Sequence, residues 1–63
     1  MAGEPKFELF PGEDGKVYFH LRAVNGQIIA ASQAYESRES AVKGIEAVKA
    51  DARVAPVVDM AHS

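Results

Sequence analysis

Polar and apolar residues alternate along the first half of this chain, and the spacing then changes to that of a helix. In "KVYFHLRAV", Val17, Phe19, Leu21 and Ala23 form an apolar row, while Tyr18, His20, Arg22 and Val24 form a mostly polar one. Period two with one apolar face predicts a half-buried antiparallel strand. Upstream, "KFELF" puts Phe7 and Leu9 on one strand face, and Pro11 ends that strand or sits at an edge. "PGEDG" is then a turn, with Gly12 and Gly15 as its turn residues. Downstream, Asn25-Gly26 is a strong hairpin signal, read as a two-residue type I′ turn, and Gln27 to Ser32 is the third strand. Such a turn would set Arg22 opposite Ile29 and Leu21 opposite Ala30. Directly opposed residues share a face, so Ile29 and Ala31 join the row of Arg22 and His20.

From Ala41 the apolar positions recur at three and four. Ala41, Ile45, Val48 and Ala52 make one helical stripe, widened by Val42. Ser37 is the expected N-cap, with Glu39 in the first turn near the positive end of the helix dipole. Ser40 stands where a capping box would have Glu. Gly44 costs up to about 1 kcal/mol against Ala inside a helix. Its place on the buried side suggests close approach of the helix backbone to the sheet. No Gly closes the helix near Ala50 to Ala52. "RVAPVVDM" reads as a short last strand, at an edge or starting only at Val57 because of Pro56. The predicted architecture is α+β, in the order β-β-β-α-β: a three-stranded antiparallel meander, one helix and a short fourth strand. That strand either joins the chain's own sheet or adds to a partner's. One domain spans 1–63, with its ordered core at about 6–59.

At 63 residues the chain can bury only about 60% of its unfolded surface. Scaffolds this small usually gain a disulfide, a metal or a partner chain. Cys is absent, and His20 and His62 do not make a zinc spacing. That leaves association with a second copy, so a homodimer is expected. Val24, Ile29 and Ala31, apolar residues on the otherwise polar sheet face, are its candidate interface. The net charge of −2, with both signs mixed along the chain, disfavours nucleic acid and anionic membranes. No apolar run approaches the roughly 20 residues of a spanning helix, and no signal peptide is visible at the start. A cytoplasmic protein is the expectation.

The ordered set "KFELF", "VYFHLRAVNGQIIAAS", "AYESRESAVKGIEAVKADA" and "VVD" resembles the YegP-like family, over about Lys6 to Asp59. This sequence departs from the family pattern at Ala34, where Gly is usual before the Tyr, and at His20, where a basic residue is common. If the Ala34 position needs positive φ, the turn there is strained or reshaped. The resemblance implies an antiparallel sheet packed on a helix, found as tandem repeats in longer members and as a self-associating single copy in shorter ones. It implies no established activity and carries over no catalytic residue.

Candidate chemistry is sparse. Tyr18, His20 and Arg22 could form a binding platform of stacking and charge, as in sheet-based RNA readers. Aliphatic cross-strand neighbours and the acidic balance count against it. His20 has no nucleophile and no fixed acid beside it in the sequence. Glu13 and Asp14 are too few for a calcium loop, and Arg38, Lys43 and Lys49 are interleaved with Glu39 and Glu46 on a solvated helix face. No cofactor or metal is expected, and a chain this short has little room for a pocket of several hundred Å³. The sequence therefore points to a non-enzymatic self-associating or protein-interaction module. A small-ligand or nucleic-acid binder using Tyr18, His20 and Arg22 is the alternative.

Overall fold

The computed structural model describes residues 3–61. Strands β1 (Lys6–Pro11), β2 (Val17–Arg22) and β3 (Ile28–Ala31) precede helix α1 (Arg38–Ala52). The strands form one antiparallel sheet in the order β1-β2-β3. In β1, Phe7 and Leu9 pair with Leu21 and Phe19 on the helix side, while Glu8 and Phe10 pair with His20 and Tyr18 on the other.

The two hairpins share one loop design. Gly12 N–H donates to Lys16 O at 2.8 Å and Gly15 N–H to Gly12 O at 3.2 Å; Ala23 N–H donates to Gln27 O at 2.7 Å and Gly26 N–H to Ala23 O at 2.9 Å. Each is a three-residue loop whose last residue is a left-handed Gly, Gly15 at φ 80 and Gly26 at φ 88. The middle residue of each accepts an N–H two residues on: Asp14 Oδ1 from Lys16 at 2.9 Å, and Asn25 Oδ1 from Gln27 at 3.0 Å. The second loop corrects the expected type I′ turn. Asn25 does not take positive φ, since no described residue other than Gly does, and its side chain folds the loop by local hydrogen bonding instead. One residue of register is lost with that turn. Leu21 still faces Ala30 and His20 faces Ala31, but Arg22 faces Ile28, with an irregularity between Leu21 and Arg22. Ala34 does not take positive φ either, so its backbone carries no such strain.

After β3 the chain keeps running beside β2. Ser32 N–H donates to Phe19 O at 2.9 Å, and Val17 and Tyr35 exchange two backbone hydrogen bonds at 2.8 Å each. This delivers the Tyr35 ring onto Phe19, stacked at 5.8 Å between centroids and 21° between planes. Phe7 meets the same Phe19 edge-on at 5.8 Å. Ser37 is the N-cap and its Oγ accepts from Ser40 N–H at 3.1 Å. On the exposed helix face, Glu46 and Lys49 approach to 3.9 Å.

Helix α1 packs on β2 and β1 and makes no contact with β3. Its apolar stripe is therefore only half used. Ala41 and Ile45 are buried with Phe19, but Val48, Val42 and Ala52 are exposed. Gly44 sits on the buried side for a different reason from the expected one. A Cβ there would collide with the Tyr35 ring, 2.7 Å from its Cζ, so it is a side chain that needs the space.

The fourth strand expected from Val57 does not form. Arg53 to Ala61 carry no strand pairing, and Val57 is 98% exposed, Met60 82% and Val54 80%. The radius of gyration is 13.7 Å, against about 11 Å for a compact chain of this length. The segment after the helix stands away from the body.

Candidate functional site

On the sheet face away from the helix, the structure brings Tyr18, His20 and Arg22 into one row, as expected. It also engages each of them in hydrogen bonds within the chain. Glu8 Oε1, from β1, accepts from Arg22 Nε at 2.9 Å and lies 2.7 Å from His20 Nε2. Arg22 Nη1 donates to Gly26 O at 2.6 Å, and Tyr18 Oη donates to Asp14 Oδ2 at 2.6 Å. The His20 hydrogen bond, and after it that of Arg22, holds the Glu8 carboxyl below its ordinary value. Asp14 is likewise lowered, first by the Tyr18 hydroxyl and then by the Lys16 N–H, and the same hydrogen bond raises Tyr18. Phe10 completes the row as an aromatic strip, stacked on Tyr18 at 6.0 Å and tilted against His20 at 4.9 Å.

Glu8, Phe10 and Asp14 were not foreseen in this cluster. The signal was the alternation in "KFELFP", where Glu8 and Phe10 fall on the face opposite Phe7 and Leu9. It needed the β1–β2 register, which a Gly-flanked loop of unknown length leaves open. Among the described residues there is no group of three or more His, Cys, Asp or Glu able to hold a metal. His62 lies outside the described residues. Among the described residues no helix is long and apolar enough to cross a membrane.

The other face carries the larger feature. Because α1 stops short of β3, a groove of about 340 Å³ opens between them, walled by Phe7, Leu21, Ala30, Gln33, Tyr35 and Val48. A pocket of this size was not expected in so short a chain. Its polar groups are those of Ser32, Gln33 and Tyr35, and no Asp, Glu, His, Lys, Arg or Cys lines it among the described residues. Beside it, all four residues of β3 are exposed. The candidate interface residues lie around this edge without forming a single row: Val24 is in the hairpin loop at 49% exposure, Ile29 sits at the register irregularity at 61%, and Ala31 pairs with His20 and borders the groove.

Comparison with known proteins gives a consistent picture. The family model described as "Domain of unknown function (DUF1508)" matches residues 13–59. A UPF0339 protein of Methanosarcina acetivorans is 53% identical over 53 residues, covering 84% of this chain and 91% of that protein. The UPF0339 protein YegP of Escherichia coli K12 is 41% identical over 56 residues, covering 89% of this chain but 51% of its own length. The solution structure of a protein from Haloferax volcanii superposes with a TM-score of 0.82 at 34% identity, over 90% of this chain and 97% of that one. With most of its length matched by the family model and by relatives on both sides of the twofold length difference, the chain belongs to the DUF1508 family of YegP-like proteins.

Proposed function

We propose that this chain is a non-enzymatic self-association module that works as a homodimer, each copy laying its Val57–Met60 segment into the groove beside β3 of the other. The observation that carries this reading is an unused groove and an unused apolar segment in one molecule. Val54, Val57, Val58 and Met60 have no cover, and Phe7, Leu21, Ala30 and Val48 wall a space that nothing fills. As a strand, the segment would turn Val58 and Met60 to one side and Asp59 to the other, and β3 offers a bare edge of four residues for it to pair with. Burying one Val or Met side chain is worth about 1.5–3 kcal/mol, so several of them in two symmetric grooves can offset the cost of association. Val24, Ile29 and Ala31 would then frame the interface. Sedimentation velocity at micromolar concentration is the test. A dimer is expected, weakened by Ile29→Asp and unchanged by His20→Ala. A stable monomer whose tail amides exchange at free-peptide rates would overturn the reading.

The Phe10, Tyr18 and His20 strip favours one second reading, a binder of flat ligands or single-stranded nucleic acid through stacking. The ion pairing of Arg22 Nε and the contact of His20 Nε2 with Glu8 weigh against it, since a ligand would have to compete with that carboxylate. NMR shift changes confined to these residues on adding oligonucleotides or metabolite mixtures would revive it.

A further inference from the structure

Helix α1 ends without the device that most often turns a chain back on itself. Many helices close through a left-handed residue, usually Gly, which reverses the chain direction. Here the C-cap is Arg53 at φ −64, ψ −30, and no described residue other than Gly15 and Gly26 has positive φ. Val54 and Ala55 N–H both donate to Asp51 O, at 3.1 and 2.9 Å, which carries the chain forward by another tight turn. Pro56 then stops helix formation, because it has no N–H and its ring keeps Ala55 out of the helical region.

Length is not what separates the segment from its own groove. Val48, in the groove wall, precedes the last helical residue, Ala52, by four residues, or about 6 Å of rise. Arg53 to Ala55 can span about 10 Å. What is missing is a reversal of direction. We infer that the glycine-free, proline-locked exit Arg53–Pro56 is an assembly switch: it denies the Val57–Met60 segment its own groove and so delivers it to a second copy. The inference rests on the dimer reading above and adds what makes groove filling intermolecular. The contacts are the same within one chain or between two, so the hinge decides between them. A flexible hinge would present the segment to its own groove at millimolar effective concentration, well above a micromolar partner.

The test inserts Gly-Ser-Gly-Ser between Ala55 and Pro56 of the full chain and compares it with wild type by sedimentation velocity and amide exchange. A dimeric wild type and a monomeric insertion variant with protected Val57–Met60 amides are expected. A wild type that is itself monomeric sinks the dimer reading and this inference together. A dimeric wild type beside a dimeric insertion variant sinks this inference alone. So does a monomeric variant whose segment stays unprotected, because the insertion has then broken the association without redirecting the segment. The narrower variant Pro56→Gly should raise the monomer fraction at a fixed concentration by about threefold or more while leaving the helix signal unchanged; an unaltered fraction would put the control elsewhere than at Pro56.

Discussion

The residues up to Ala52 and the residues after it solve the burial problem in opposite ways. In the first region, a short helix buries two residues, Ala41 and Ile45, against Phe19, and aromatic rings extend that contact: Phe7 edge-on and Tyr35 face-on. Every loop is tied down by its own hydrogen bonds. In the second region, four large apolar side chains are left bare with no internal partner. A chain of about this size has little apolar area to spare. On the dimer proposed above, the interior is built in two instalments, one within the chain and one supplied by a second copy.

The largest effect should come from charging the second region. Val58→Asp with Met60→Asp places carboxylates where burial is proposed, and an unpaired charge in an apolar contact costs at least about 3 kcal/mol. That is over about a hundredfold in dimer dissociation constant, read by sedimentation equilibrium. If the double variant associates as wild type does, the bare segment is not part of any interface.

Next come changes inside the first region. Gly44→Leu must displace the Tyr35 ring from Phe19, and overpacking of this kind costs about 1–3 kcal/mol. For a domain this small, each 1 kcal/mol lowers Tm by about 4–8 °C. A calorimetric scan should show the loss, and Tyr35→Ala in the same background should recover part of it by removing the clashing ring. Gly26→Ala follows at about 1 kcal/mol, because φ 88 is strained for any residue with a Cβ. The matching loop supplies the control: Gly15→Ala, at φ 80, should cost about the same by denaturant titration, since neither added Cβ meets any atom within 4 Å.

How much of this could be read in advance follows the same division. The β2 row, the N-cap at Ser37 and the helix stripe were legible because each depends on residues a few positions apart. The Asn25-Gly26 hairpin was legible as a hairpin but not in its loop type, because Val24 joined the loop and Asn25 spent its side chain on Gln27 N–H. That single residue moved Ile28 opposite Arg22 in place of Ile29. The outer cluster was half legible: Tyr18, His20 and Arg22 lie on one strand, while Glu8 and Phe10 needed the β1 register. The fourth strand does not form within the chain, for a physical reason. "VVDM" has strand composition, yet a strand needs an edge to pair with, and the exit past Pro56 does not bring it to one in its own chain.

The smallest effect, and the one that best separates the two regions, is acid sensitivity. Glu8 is the carboxyl that joins β1 to β2 through His20 and Arg22, and its pKa in the folded chain lies below the ordinary 4.5. A depressed carboxyl stabilises the fold above its unfolded pKa, and that contribution disappears as pH falls through the lower folded value. Stability should therefore be level on this account from neutral pH to about 5 and decline below it. Glu8 is exposed enough for solvent and salt to screen the pair, so the decline is shallow, and added salt should flatten it further. Glu8→Gln removes the titrating group and should remove that part of the slope in urea titrations between pH 3 and pH 6. If dimer dissociation, followed over the same range, varies with pH as strongly in Glu8→Gln as in wild type, then the acid-sensitive contact belongs to the association and the sheet face is not its source.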